Sequence, residues 1–324
     1  MKRLDPAAGA ADDVDPDIRT FQLRTSADYA TLSGGCYADI AQRRNVAELV
    51  RRPWVEGGPE MASILNLQIG RRPFRIRIYR PVPGEQPLPT LVYLHGGGWT
   101  LFSIDTHDRL MREYAARAGC AVVGVDYSLA PEHPYPAALN DIAEALDWIG
   151  DNGSAHGLDS SRMAIGGDSA GANLAIASAL RRRDPVSSDV SVRALLLNYG
   201  AFDVLSRESH RRYDGDRYML TAEEMLDFWN DYIEGPPEEA GAEARPLLAD
   251  LSELPPTFLC IAECDILADE NREMARLLAQ AGNDVHAEVY RGATHSFLEA
   301  VSISSLANRA LDDASRWLAQ RLRE

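Results

Sequence analysis

Ser169 is the central residue of a G-x-S-x-G segment within GGDSAG, residues 166–171, between the apolar run RMAI and the helix-forming stretch ANLAIASALRRR. Strand, tight turn and helix are the setting in which such a serine is held in a strained conformation with its hydroxyl clear of the backbone. Gly167 and Gly171 allow the chain to pack tightly around that turn. A serine hydroxyl is a weak nucleophile at neutral pH, so it needs a base, and the base needs an acid to orient it.

In an α/β-hydrolase the acid and then the base follow such a serine along the chain, each after a later strand. Asp265 in AECDIL follows TFLCIAE, and His295 in ATHSF follows VHAEVY. Glu263 is an alternative acid, but Asp269 is the better cap for the next helix, which leaves Asp265 free for the chemistry. Of the seven histidines, only His295 lies in a short loop after the last strand. A neutral imidazole is required to accept a proton, so the reading predicts activity rising with pH through an apparent pKa of roughly 6 to 7.

HGGGW, residues 95–99, follows the apolar run TLVYL. Three successive glycines give up conformational entropy, which is reasonable where backbone N–H groups must face an anion. Serine attack on a carbonyl creates such an anion. The expected donors are the N–H groups of Gly97, Gly98 and Ala170, with glycine needed because a Cβ would take the place of the carbonyl. His95 is expected to brace the loop by hydrogen bonding.

These groups need a frame. Short apolar strands alternate with helices from TLVYLH onward, through a helix over 106–118, AVVGVDY, a helix after Pro136, RMAIGG, a helix over 170–183 and RALLLNY. TFLCIAE, a helix over 269–281, VHAEVY and a final helix complete the series, which predicts a mainly parallel sheet covered on both faces. ILNLQI and FRIRIYR, joined by a tight turn, form its antiparallel edge. Residues 1–60 read as an N-terminal helical cap segment broken near Pro53, and 61–324 as the α/β-hydrolase domain with a cap insertion at about 200–254. Within that insertion, 221–233 is an amphipathic helix capped by Thr221. Its apolar face comprises Ala222, Met225, Leu226, Trp229, Tyr232 and Ile233. Trp229 is expected to anchor the helix, and Phe228, at the edge of the stripe, to bind substrate by closing off an acyl pocket.

The 324 residues carry 33 Lys and Arg against 49 Asp and Glu, a formal charge of −16, which disfavours nucleic acid and anionic membranes as partners. Two local basic stretches stand out, 71–80 and 181–183, and in the first arginine alternates with Phe74, Ile76 and Ile78, so that it reads as a strand with one solvated face. The start turns acidic with no apolar core, unlike a secretory leader, and no stretch is long and apolar enough to span a bilayer. Cys36, Cys120, Cys260 and Cys264 lack metal or disulfide spacing and read as buried free thiols. A cytoplasmic protein is expected, with room for a homodimer.

HGGGW, DYSLAPEHPYPAAL, GGDSAGANLA, the aspartate of AECDIL and the histidine of THSF together resemble the hormone-sensitive lipase family of α/β-hydrolase carboxylesterases, over roughly Arg71 to the C-terminus. DTHDRLMR looks like the bacterial acetyl esterases of that family. The resemblance implies Ser169, Asp265 and His295 as triad, Gly97, Gly98 and Ala170 as oxyanion donors, a helical cap, and neither cofactor nor metal. Three positions depart from the family pattern: Ser128 stands where arginine is usual, Ile266 where proline is common, and Ser296 where glycine follows the histidine. The expected function is a serine carboxylesterase acting on small-molecule esters with acyl groups from acetyl to about hexanoyl. An amide or N-acyl hydrolase, or a small-molecule receptor on the same fold, is the alternative.

Overall fold

A computed structural model describes residues 13–183 and 191–324; residues 1–12, which hold most of the segment read as lacking a secretory leader, lie outside it. Two helices open the described chain, α1 (Pro16–Ser33) and α2 (Ile40–Arg51). Asp15 and Asp39 cap them through backbone N–H groups, at 3.0 Å to Asp17 and 2.8 Å to Gln42. The α/β series then follows: β1 (Ser63–Ile69), β2 (Phe74–Arg80), β3 (Leu88–Leu94), α3 (Asp108–Ala118), β4 (Ala121–Val125), α4 (Ala137–Asn152), β5 (Leu158–Asp168), α5 (Ala170–Arg181) and β6 (Val192–Asn198). After the insertion, which holds α6 (Glu208–Arg212) and α7 (Ala222–Tyr232), come β7 (Thr257–Cys264), α8 (Ala268–Gln280), β8 (Val285–Thr294) and α9 (Ser305–Arg321).

The eight strands form one sheet in the order β1-β2-β4-β3-β5-β6-β7-β8. Pairing is parallel from β4 through β3 to β8, and antiparallel where β1 meets β2 and β2 meets β4. All five residues of β4 and the last five of β3 and of β6 are buried, as expected for strands covered on both faces. Because these strands run the same way, β3, β5, β7 and β8 all deliver their C-terminal loops to one edge of the sheet, and those loops carry Gly97, Ser169, Asp265 and His295.

The arginines of β2 are ion-paired. Arg75 and Arg77 both reach Asp105 at 2.6 Å, and they also contact Asp126 at 3.1 Å and Asp108 at 3.2 Å respectively. Individually such half-exposed pairs contribute little, but as a group they tie the segment after the glycine loop to the sheet. At Ser128 the backbone N–H donates to Asp141 at 2.8 Å, and the Arg72 guanidinium reaches both residues from the β1–β2 turn. The positive charge absent from position 128 is thus supplied from elsewhere in the chain.

Thr221 caps α7 by accepting from Glu224 N–H at 3.1 Å. The buried stripe of α7 is Met225, Phe228, Trp229 and Tyr232, whereas Leu226 is 51% exposed. The sequence-based face was therefore rotated: Leu226 belongs to solvent and Phe228 to the interior. Spacing explains this, since 225, 228, 229 and 232 follow the i, i+3, i+4, i+7 pattern and 226 falls outside it. Trp229 packs on Trp99 at 4.5 Å, and Tyr232 stacks on the same indole at 4.3 Å. Two further expectations are corrected. Leu267, not Asp269, occupies the α8 cap position, and the Asp269 carboxylate accepts instead from Ser209 N–H at 2.9 Å, tying α6 to α8. Cys36 is exposed, while Cys120, Cys260 and Cys264 are buried free thiols.

Trp229→Ala removes a fully buried indole and leaves Trp99 facing a void. We expect it to lower stability by about 3 to 5 kcal/mol, as read from the midpoint and slope of denaturant unfolding.

Candidate active site

Ser169 sits at the junction of β5 and α5 with φ 53° and ψ −119°. For a residue with a Cβ this is a strained conformation, held here by its surroundings. Its N–H donates to Asn198 O at 2.9 Å, and its carbonyl accepts from Ala201 N–H at 3.3 Å. A side chain at Gly171 would overlap the Leu94 carbonyl, so only glycine lets the first turn of α5 lie this close to the end of β3. Ala170 is the first residue of that helix, so its N–H has no partner within the helix and lies at the positive end of the helix dipole.

His295 Nε2 lies 2.9 Å from Ser169 Oγ, and His295 Nδ1 lies 2.7 Å from Asp265 Oδ2. All three residues are buried. The second Asp265 oxygen accepts from Leu267 N–H at 3.0 Å, which fixes the carboxylate in its loop. Glu263, the alternative acid, turns away and accepts from Gly292 N–H at 3.1 Å. Burial acts against the imidazolium of His295, but the adjacent Asp265 carboxylate more than offsets it and holds the pKa above the ordinary histidine value.

The glycine loop bends through positive φ at Gly97 (112°) and Gly98 (59°). Among the described residues the N–H groups of both glycines have no acceptor, and both residues face the cavity that Ser169 and His295 face. The need for glycine has a different origin from the one expected. A Cβ at position 98 would collide with the Phe228 ring, and one at 97 with the Leu101 carbonyl, so packing against the protein excludes it.

A buried network behind this loop was not foreseen. Asp168 accepts from Tyr93 Oη at 2.8 Å and from Gly96 N–H at 3.2 Å, and lies 3.3 Å from His107 Nε2. Burial works against the Asp168 charge, yet His107 beside it keeps the carboxyl below its usual range, and Asp168 in turn raises His107. His95 is the opposite case: burial, and next the His107 charge, push it down to about 4. His95 braces the loop as expected, with Nδ1 2.7 Å from Gly96 O and its ring stacked on Tyr127 at 4.3 Å. The only sequence signal for the network was a carboxylate immediately before the nucleophile and a histidine in DTHDRLMR.

Ser169, His295, Gly97 and Gly98 open on a cavity of about 800 Å³. Its walls come from α1 and α2 (Tyr29, Arg43, Arg51), from the glycine loop (Phe102) and from the insertion (Met219, Glu224, Phe228). Phe228 lies in this wall with the Arg43 guanidinium 4.9 Å from its ring. Ser296 also lines the cavity, at φ 59°, a conformation that glycine adopts without strain. Ile266 is fully buried beside Asp265. Among the described residues no group of His, Cys, Asp and Glu could hold a metal ion, and no helix is long and apolar enough to cross a membrane.

A family model described as an alpha/beta hydrolase fold matches residues 91–299. The chain is similar to an acetyl esterase of Salmonella paratyphi B, with 33% identity over 289 residues that cover 88% of each protein. Among solved structures it is similar to a hyperthermophilic esterase from Pyrobaculum calidifontis, with 34% identity, a TM-score of 0.86 and coverage of 95% and 98% of the two chains. It is also similar to a thermostable carboxylesterase cloned from a metagenomic library, at 31% identity, a TM-score of 0.84 and coverage of 89% and 99%.

Removing the Asp168 carboxylate leaves Tyr93, Gly96 and His107 without their shared acceptor. Asp168→Ala is expected to lower stability by about 2 to 3 kcal/mol and to reduce turnover, whereas Tyr93→Phe, which removes one donor, costs about 1 kcal/mol. Unfolding curves and kcat for the two variants check this order.

Proposed function

The chain belongs to the hormone-sensitive lipase branch of the α/β-hydrolase family and is a carboxylic ester hydrolase; from that premise we propose that Ser169, His295 and Asp265 are its catalytic triad. One observation carries the reading. A hydroxyl, an imidazole and a carboxylate stand in hydrogen-bonded series, at 2.9 and 2.7 Å, beside a substrate-sized cavity.

In this mechanism Ser169 Oγ attacks the ester carbonyl as His295 Nε2 takes its proton. The oxyanion lies against the N–H groups of Gly97, Gly98 and Ala170, each such donor contributing about 3 to 4 kcal/mol to the barrier reduction. Asp265 holds the imidazole in the tautomer that accepts at Nε2 and stabilises the imidazolium. His295 then gives its proton to the leaving alcohol as the carbon–oxygen bond breaks, leaving the acyl group on Ser169. Water attacks that ester, His295 takes its proton and returns it to Ser169 Oγ, and the carboxylic acid departs.

The substrates in this proposal carry acyl groups from acetyl to about hexanoyl. The support is Phe228, packed against Gly98, which bounds the cavity beside the glycine loop. We assign the cap to the N-terminal segment, residues 1–60, together with the insertion at about 200–254.

Ser169→Ala is expected to abolish p-nitrophenyl acetate hydrolysis by several orders of magnitude with an unchanged melting curve, and a fluorophosphonate probe to label the parent but not the variant. Full activity in that variant, free of contaminating esterase, would overturn the triad.

The neutral form of His295 is the competent one, and its pKa is raised above 6.5, so kcat/KM falls as the pH drops through a midpoint above 6.5. In Asp265→Asn, burial is no longer offset. The midpoint moves to lower pH while kcat drops, and a pH–rate series on the two proteins reads both effects.

Phe228→Ala is expected to move the preferred acyl chain to longer lengths. An unchanged profile across a p-nitrophenyl ester series would remove Phe228 from the substrate site.

A further inference from the structure

Arg51 and Glu299 form an ion pair outside the triad. Arg51 ends α2, and Glu299 lies in the short 3-10 helix Phe297–Ser302 that begins two residues after His295. Arg51 Nε is 2.6 Å from Glu299 Oε2, and both side chains are 5% exposed. Arg51 also lines the cavity beside Ser169 and His295.

The guanidinium is shared among three parts of the protein. It lies 5.7 Å from the rings of Phe21 and Tyr29 on α1 and 4.9 Å from Phe102, which follows the glycine loop. Through Glu299 it is joined to the turn that holds His295, where Glu299 N–H donates back to Ser296 O at 3.1 Å. Arg51 Nη1 and Glu299 Oε1 have no hydrogen-bond partner, and Nε and Oε2 are close but out of line for one. A buried ion pair with unmet donors is a poor source of stability, since two well-packed apolar side chains of similar size would serve as well. Its location is what distinguishes it.

We propose that Arg51, acting through Glu299, is a positioning residue for His295, so that docking of α1 and α2 and competence of the base are a single event. The proposal rests on the triad reading and extends it.

The charges that act on His295 are those of Asp265 after β7, Asp168 at the end of β5, Glu224 on α7 and Glu299 backed by Arg51, and the Tyr199 ring after β6 lies 5.2 Å from the imidazole. The Asp265 charge also acts on His210 of α6. Within this set Glu299 favours the imidazolium, and Arg51 counterbalances Glu299. Removing either partner should therefore disturb the base in opposite senses.

The test is the pH dependence of p-nitrophenyl acetate hydrolysis by Arg51→Met, Glu299→Gln, the double variant and Arg51→Lys, each checked for folding by circular dichroism and melting. Arg51→Met leaves the Glu299 charge uncompensated, so its acid-limb midpoint should rise by about half a pH unit or more. Glu299→Gln leaves the cation and should lower the midpoint by a similar amount. The double variant should return to within about 0.2 of the parent while kcat stays roughly tenfold or more reduced, with KM less affected. Midpoints that stay at the parental value in both folded single variants, or that move the same way, overturn the proposal. If the two do not fold, Arg51→Lys decides. A parental midpoint with kcat several-fold lower supports a dependence on guanidinium geometry, and an unaltered kcat overturns it. His295→Ala separates the two levels. Parental activity there removes the triad reading itself, whereas an inactive His295→Ala with unmoved midpoints in the other variants removes only the role of Arg51.

Discussion

The close approach of Gly171 to the carbonyl of Leu94 sets the distance between the two loops on which the site is built. A methyl group at position 171 would force the first turn of α5 away from the end of β3. The turn at Ser169 would then no longer lie against the end of the strand that carries the glycine loop. The strain at Ser169, with φ 53°, is a consequence of the same packing. The helix must start where the strand stops, with Ser169 alone between them to make the turn, and the buried strands on either side prevent the backbone from shifting.

Electrostatics at this edge of the sheet follow one rule, applied three times. Burial opposes every charge, and whether a group is ionised depends on the partner placed against it. Asp265 overcomes burial for His295, and Asp168 does so for His107, whereas His95 has a hydroxyl, a carbonyl and a second imidazole around it and is held neutral. The His95 and His107 rings lie 5.6 Å apart, and the Asp168 carboxylate beside one of them separates the pair, raising His107 while burial and His107 push His95 down. His107 reaches the carboxylate that holds Gly96 N–H, and His95 packs against the loop as a flat, polar ring.

The sheet and the four loops converging at its edge were legible because each is written in contiguous residues: apolar runs of strand length, glycines at fixed offsets, a lone histidine after the last strand. The α7 cap was equally local, since Thr221 and Glu224 meet within one turn. What the sequence left unreadable depends on partners far away in the chain. Asp168 looked like part of a motif, and only the return of Tyr93, Gly96 and His107 to its carboxylate explains it. Asp269 had the right chemistry for a cap, but Ser209, some sixty residues earlier, offered its carboxylate a better donor geometry. Leu226 and Phe228 exchanged places because the direction of an amphipathic stripe was judged from six apolar residues, one of which lay outside it. Arg51 carried no signal at all, since nothing local distinguishes it from the neighbouring Arg52.

Phe228 has a double tenancy. Its ring bounds the cavity, and it also occupies the space that a side chain at position 98 would need. A smaller residue at 228 would widen the chamber and at the same time take away the surface against which the glycine loop rests. Over evolutionary time, enlarging the chamber from this side without loosening the loop therefore takes two coordinated changes, one in the insertion and one in the loop, separated by well over a hundred positions in the chain. Residues of α1 and α2 that face the same space, Arg51 excepted, carry no such obligation. Diversification of substrate range among proteins built this way should accordingly be concentrated at the N-terminal helices, with the aromatic at 228 changing late and in concert.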